Sequence, residues 1–237
     1  MKSLFILGTD TDVGKTIVAG ALAAYLTSIG LKVGVMKPFE SACLKDISGK
    51  LIPKDTLFLK EMAACEELLD CVNPYRFEAP LAPAVAASLE GKVIDFERIQ
   101  AAYKKFENQY DLLLIEGAGG LLVPLAAQMT NLNLIQILKS PVLLIARAGL
   151  GTINHTLLTL SQLKMHAIET KGVILNHCTQ TSDLSARYNR QSLEEWSFAP
   201  IFGEMPYSAI RREELIRSVQ EKLVSEKKFA TFLKGYR

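Results

Sequence analysis

Apolar residues in this chain gather into short unbroken runs at residues 4–7, 33–36, 112–115, 141–146, 172–176 and 200–203. Runs of this length, bounded by Gly, Pro, Asn or charged residues, predict strands buried on both faces. Between them the apolar positions recur every three or four residues. That period predicts helices over 16–26, from Asp55 onward, over 84–89, after Asp95, over 131–138, 156–163 and 182–196, and over 208–224. Alternation of the two patterns predicts an α/β fold: one domain spanning 1–237, with a mostly parallel sheet and helices on both faces. Residues 40–53 and the proline-punctuated stretch 73–83 read as loops.

The first strand and first helix are joined by Gly8-Thr9-Asp10-Thr11-Asp12-Val13-Gly14-Lys15-Thr16. A strand, a glycine-bearing loop and a helix start in this order aim backbone N–H groups and a helix dipole at one point, which suits phosphate. Lys15 would reach the β- and γ-phosphates and Thr16 would offer its hydroxyl to Mg²⁺. The usual spacing places the first glycine at Thr9, one position after Gly8.

Other strand ends add candidates. Lys37, just before Pro38, sits where a strand delivers a side chain to the loop edge of the sheet, a place that surface lysines also occupy. Residues 112–115 end in Glu116-Gly117-Ala118-Gly119-Gly120, a carboxylate able to hold Mg²⁺ followed by backbone that a ligand can approach closely. Asp55 suits a helix N-cap, with a metal-shell role as the alternative. Asn176, ending another strand, carries the donor and acceptor pair that an adenine edge needs, and also suits a turn. The second glycine junction, 147–155, has no lysine at the phosphate-loop position, although a helix start there could hold a carboxylate. His155 reads as a structural histidine.

Composition narrows the partners. With 27 basic and 25 acidic residues the net charge is +2, which gives no general field for nucleic acid or anionic lipid. The chain is 49% apolar, yet no run reaches membrane-spanning length. The amino-terminal residues lack a secretory pattern, so a cytoplasmic protein is expected. Cys43, Cys65, Cys71 and Cys178 show no paired metal spacing and are expected to stay thiols. The basic-leaning segment 222–234 reads as a solvated helix face.

Taken together, the phosphate loop, Lys37-Pro38 with Ser41, Asn73-Pro74-Tyr75, residues 116–120, Gly151-Thr152-Ile153-Asn154-His155, Asn176 and Gly203-Glu204-Met205-Pro206 resemble the dethiobiotin synthetase family nearly end to end. The resemblance implies a P-loop NTPase-like fold. It implies a homodimeric, ATP- and Mg²⁺-dependent ligase that joins 7,8-diaminononanoate and CO₂ through a carbamate and a carbamic-phosphoric anhydride. It assigns Lys15, Lys37, Thr11 and Ser41 to catalysis, and Thr16, Asp55 and Glu116 to Mg²⁺. Nucleotide contacts would come from Asp12, Val13, Gly14, Lys15, Thr16, Ile17, Asp55, Glu116, Gly117, Ala118, Gly119, Asn176, Pro206, Tyr207 and Ser208. Ser41, Asn154 and Tyr188 would bind substrate, Asn154 acting in the partner's site.

The chain departs from that family's pattern in the segment Lys37-Pro38-Phe39-Glu40-Ser41-Ala42, where Ala42 replaces a glycine, Glu40 adds a carboxylate and a reshaped loop is expected. Leu81 and Ala82 replace small polar residues, and Asp12 stands where Glu is common. Two rivals share the phosphate loop: a switch ATPase of the partition or septum-positioning kind, which usually has an extra lysine early in that loop, and a related cofactor-synthesis ligase.

Overall fold

The computed structural model describes residues 2–180, 183–207 and 211–236. Six strands form one sheet: β1 (Lys2–Gly8), β2 (Val33–Met36), β3 (Leu112–Glu116), β4 (Val142–Arg147), β5 (Thr170–Asn176) and β6 (Ile201–Met205). Their order is β6-β5-β4-β1-β3-β2, and every neighbouring pair is parallel. All residues of β2 and β3, and residues 142–146 of β4, are buried. Successive side chains point to opposite faces, so both faces are covered.

The order sets the place of the site. After β1 the chain moves past the β3 position to the β2 edge, fills β3 between them, and then continues on the other side of β1. Strand order therefore reverses around β1, and the crevice for a ligand lies at the carboxyl ends of the strands there. Thr9 N–H donates to the Ile145 carbonyl at 2.9 Å, and Gly117 N–H to the Ile6 carbonyl at 3.1 Å. The segments following β1 and β3 thus leave the sheet side by side.

Helix α1 (Lys15–Ser28) is buried continuously from Val18 to Leu26. Its alanines and Gly20 let a neighbour come close: a Cβ on Gly20 would stand 2.3 Å from the Phe58 ring of α2 (Lys54–Ala63). A helix apolar on every side belongs inside a fold.

Several expectations change. Residues 40–53 include strand pairing, since Leu44–Lys45 runs antiparallel to Leu51–Ile52. Just before them, Phe39–Glu40 runs parallel to Tyr75–Arg76. Asp55 is not the cap of α2; Pro53 holds that position, and Asp55 lies in the first turn. His155 is exposed rather than enclosed. The carboxyl-terminal segment is more than a solvated face: a π-helical turn, Gln220–Val224, leads to a helix at Lys227–Lys234 whose Phe229 and Leu233 are buried. The Phe229 ring meets Phe202 of β6 edge-on at 5.4 Å. The four cysteines are thiols, three of them buried. No helix among the described residues is long and apolar enough to cross a membrane.

Candidate active site

The loop after β1 turns into α1 through two left-handed residues, Asp12 at φ 58° and Gly14 at φ 85°. Gly14 is needed on a second count: a Cβ there would stand 2.0 Å from the Asn176 side-chain nitrogen. The Lys15 side chain folds back over the loop and donates from Nζ to the Asp10 carbonyl at 2.9 Å. Gly8 gives it room, because a Cβ on Gly8 would lie 2.7 Å from both Lys15 Nζ and the Asp10 oxygen. The early glycine thus gives clearance to the loop backbone at Asp10 as well as to the lysine. Burial lowers the Lys15 pKa below the ordinary lysine value; Glu116 opposes that fall and Lys37 adds to it. A desolvated cation beside a helix start is a strong anion partner.

Lys37 follows β2 directly. Its N–H donates to the Val72 carbonyl at 2.8 Å, and its own carbonyl accepts from Asn73 Nδ2 at 2.6 Å. So anchored, it sends its ammonium to Glu116 Oε1 at 2.8 Å and to Asp55 Oδ2. Thr16 joins the same carboxylates, its hydroxyl 2.7 Å from Glu116 Oε1 and 3.2 Å from Asp55 Oδ2. Burial works against the Lys37 charge, but Glu116, Asp55 and Glu40 together outweigh it and hold its pKa above the ordinary lysine value.

This donor set fits Mg²⁺. Glu116 is only 2% exposed, and its Oε2 is buried with no hydrogen-bond partner among the described residues, leaving an acceptor for a cation. Among those residues no group of three or more His, Cys, Asp and Glu side chains could hold a metal. Two carboxylates with one hydroxyl suit an ion that keeps waters and phosphate oxygens in its shell.

The glycine stretch after β3 lies against the phosphate loop. A Cβ on Gly119, itself at φ 67°, would stand 3.3 Å from Thr11 Oγ1, and one on Gly120 would stand 3.4 Å from the Thr9 carbonyl. Ala118, between Gly117 and Gly119, is partly exposed, and Thr11 is exposed. Asn176 Nδ2 donates to the Val13 carbonyl at 3.1 Å, which ties the end of β5 to the loop. Val13 is buried and Ile17 packs on the core. Pro206 and the exposed Tyr207 follow β6, whereas Ser208 lies outside the described residues. Ser41 donates to the Leu81 carbonyl at 2.7 Å. Asn154, in the first turn of the helix Thr152–Met165, and Tyr188, on the helix Ala186–Trp196, are both exposed.

Three supporting residues carry no local signal. Glu40 accepts from the Asp55 and Thr56 N–H groups at the start of α2. Asn131, fully buried, donates from Nδ2 to the carbonyls of Ala118 and Gly120, each at 2.7 Å, and so shapes the glycine stretch. Asn189 does the same for the second glycine junction, donating to Ala148 and Gly149 at 2.7 and 3.0 Å. Ala42 keeps a left-handed backbone at φ 59°, so its loop retains a conformation suited to glycine.

A family model described as an AAA domain matches residues 2–213. The ATP-dependent dethiobiotin synthetase BioD of Thermodesulfovibrio yellowstonii is 42% identical over 86% of this chain and 88% of its own. Those of Clostridium acetobutylicum and Bacillus subtilis strain 168 are each 35% identical over 93% of this chain, and 92% and 94% of theirs. Among solved structures, the septum site-determining protein MinD of Pyrococcus horikoshii, complexed with Mg-ADP, superposes with a TM-score of 0.53. It is 17% identical over 99% of this chain and 94% of its own, a likeness of fold alone. On sequence, the chain belongs to the ATP-dependent dethiobiotin synthetase family.

Proposed function

We propose that this chain, acting as one ligase domain, uses ATP to carboxylate 7,8-diaminononanoate with CO₂ and close the ureido ring of dethiobiotin, a step of biotin synthesis. One observation carries the reading: in a chain of this family, Lys37, Thr16, Asp55 and Glu116 meet at the end of the phosphate loop beside Lys15. A cation pair facing a carboxylate pair is what a reaction between two anions, a carbamate and a triphosphate, requires.

In this scheme one substrate amine adds CO₂ to give a carbamate, and a carbamate oxygen attacks the γ-phosphate with departure of ADP. The second amine then attacks the carbonyl carbon of the carbamic-phosphoric anhydride, the ring closes and phosphate leaves. Positioning and charge neutralisation supply most of the catalysis of such a transfer. Lys15 holds the β- and γ-phosphates. Lys37 faces the carbamate and the γ-phosphate. Thr11 and Ser41 orient the reacting end of the substrate by hydrogen bonds. Thr16, Asp55 and Glu116 would hold Mg²⁺, which offsets phosphate charge when bound.

The loop amides from Asp12 to Ile17 and the backbone of Gly117 to Gly119 line the phosphate side, while Asn176 with residues 206–208 reads adenine. The exposure of Asn154 and Tyr188 fits a homodimer in which they take the substrate tail, Asn154 in the partner's site. The enzyme is read as cytoplasmic, with small molecules rather than nucleic acid or membrane as partners.

The test is incubation with ATP, Mg²⁺, bicarbonate and the diamine, scored for the ureido product by mass spectrometry. Diamine-dependent ADP release with ureido product supports the reading. ATP hydrolysis that ignores the diamine and forms no ureido product overturns it in favour of a switch ATPase.

A further inference from the structure

We infer that Glu40 is a positioning residue for Asp55, and through it for the divalent cation that the site is read to bind. Glu40 is buried, at 5% exposure, three residues beyond Lys37. Its Oε1 accepts from the Asp55 N–H at 3.0 Å, and its Oε2 accepts from the Thr56 N–H at 2.9 Å and the Thr56 hydroxyl at 2.6 Å. All three donors belong to the first turn of α2, whose own cap, Pro53, offers no side-chain acceptor. The carboxylate therefore caps α2 from a distant segment, where helix N–H groups and the helix dipole favour negative charge.

The cap is mounted rigidly. Phe77 N–H donates to the Glu40 carbonyl at 2.8 Å, and Phe39–Glu40 pairs with Tyr75–Arg76. One short segment thus carries both Lys37 and the group that fixes where α2 begins. Asp55 contacts Lys37 and Thr16 only from that first turn, and its carboxyl, being 49% exposed, has little packing of its own to hold it. The constraint on Asp55 comes through its backbone, from Glu40. An ordinary cap would stabilise α2 and nothing more; this one also sets the separation of the two carboxylates. Outer-shell groups of this kind change metal affinity by about 10–100-fold.

The inference rests on the reading of Asp55 as a metal carboxylate, and the experiment separates the two. ADP binding is measured by titration calorimetry on the full chain with and without Mg²⁺, for the parent, Glu40→Gln and Asp55→Asn. A glutamine keeps one acceptor oxygen and turns a donor toward N–H groups that need an acceptor. Glu40→Gln is expected to cut the strengthening of ADP binding by Mg²⁺ by about tenfold, with Mg²⁺-free affinity changed less than about twofold.

If Asp55→Asn loses that strengthening while Glu40→Gln keeps it, the positioning role is wrong and the metal reading stands. If neither variant loses it, the metal reading falls and the inference with it. An equal loss with and without Mg²⁺ in Glu40→Gln marks a purely structural cap and overturns the inference. Should Glu40→Gln not fold, Thr56→Val, which removes one donor to the same oxygen, is expected to give a smaller loss in the same direction. An unchanged Mg²⁺ effect there overturns the proposal.

Discussion

Replacing Lys37 with methionine keeps an unbranched apolar stem and removes only the charge and its donors. The native ammonium serves two carboxylates of different weight. Its pair with Asp55 involves a side chain that is half in solvent, where a salt bridge contributes at most about 1 kcal/mol. Its pair with Glu116, at 2.8 Å, joins side chains 8% and 2% exposed, so that partner decides the outcome. Removing one member of a buried pair leaves the other charge uncompensated and costs about 3–5 kcal/mol. Lys37→Met is therefore expected to lose about 3–5 kcal/mol of folding stability.

Glu116→Gln in the same chain should restore part of that loss, giving a coupling of about 2 kcal/mol or more between the sites. The assay is urea unfolding followed by circular dichroism and fluorescence for the parent, both single variants and the double variant, without nucleotide or Mg²⁺. Coincident transitions from the two probes license the two-state treatment. A Lys37→Met loss below about 1 kcal/mol, the value of an exposed pair, would refute the argument. So would strict additivity in the cycle.

Two further outcomes follow from backbone and clearance. Ala42 at φ 59° carries a left-handed penalty of about 1–2 kcal/mol, while glycine there costs about 0.5–1 kcal/mol of chain entropy. Ala42→Gly is therefore expected to raise stability by about 0.5–1 kcal/mol, read as a higher urea midpoint with an unchanged slope; a lower midpoint contradicts it. Gly8→Ala places a methyl 2.7 Å from Lys15 Nζ and the Asp10 carbonyl. The lysine tip can swing aside but the Asp10 backbone oxygen cannot, so overpacking of about 1–3 kcal/mol falls on the phosphate loop itself, and ADP affinity by calorimetry is expected to drop by about tenfold, whereas parental affinity would show that the loop needs no such space.

The strands were legible because a parallel strand buried on both faces needs an uninterrupted apolar run, as in Leu112–Glu116. Lys37 and Glu116 were legible as polar residues closing such runs. Asp55 suits a cap because aspartate before an apolar period usually is one, with the metal role the alternative that the family resemblance favours; the actual capping group, Glu40, lies 15 positions away, and no local pattern announces it. Asn131 was hidden for the same reason, since its carbonyl partners lie 11 and 13 positions earlier. The last helix did carry a signal. Phe229, Phe232, Leu233 and Tyr236 recur at helical spacing, and the interleaved lysines masked it. At Ala42, where the missing glycine predicts reshaping, the backbone takes a left-handed turn held by bonds from Ala42 N–H to Ala79 and from Cys43 N–H to Phe77.

The bond from Asn176 to Val13 spans 163 positions, and that from Thr16 to Glu116 spans 100. Closing such long loops costs entropy before any contact rewards it, so these junctions belong to the late part of folding. On a ribosome, the pocket can be completed only after the fifth strand has emerged and docked beside the fourth. Nucleotide is then a ligand of the finished chain. Its stabilisation is expected chiefly as slower unfolding, with little gain in folding speed, the signature of contacts formed after the barrier state.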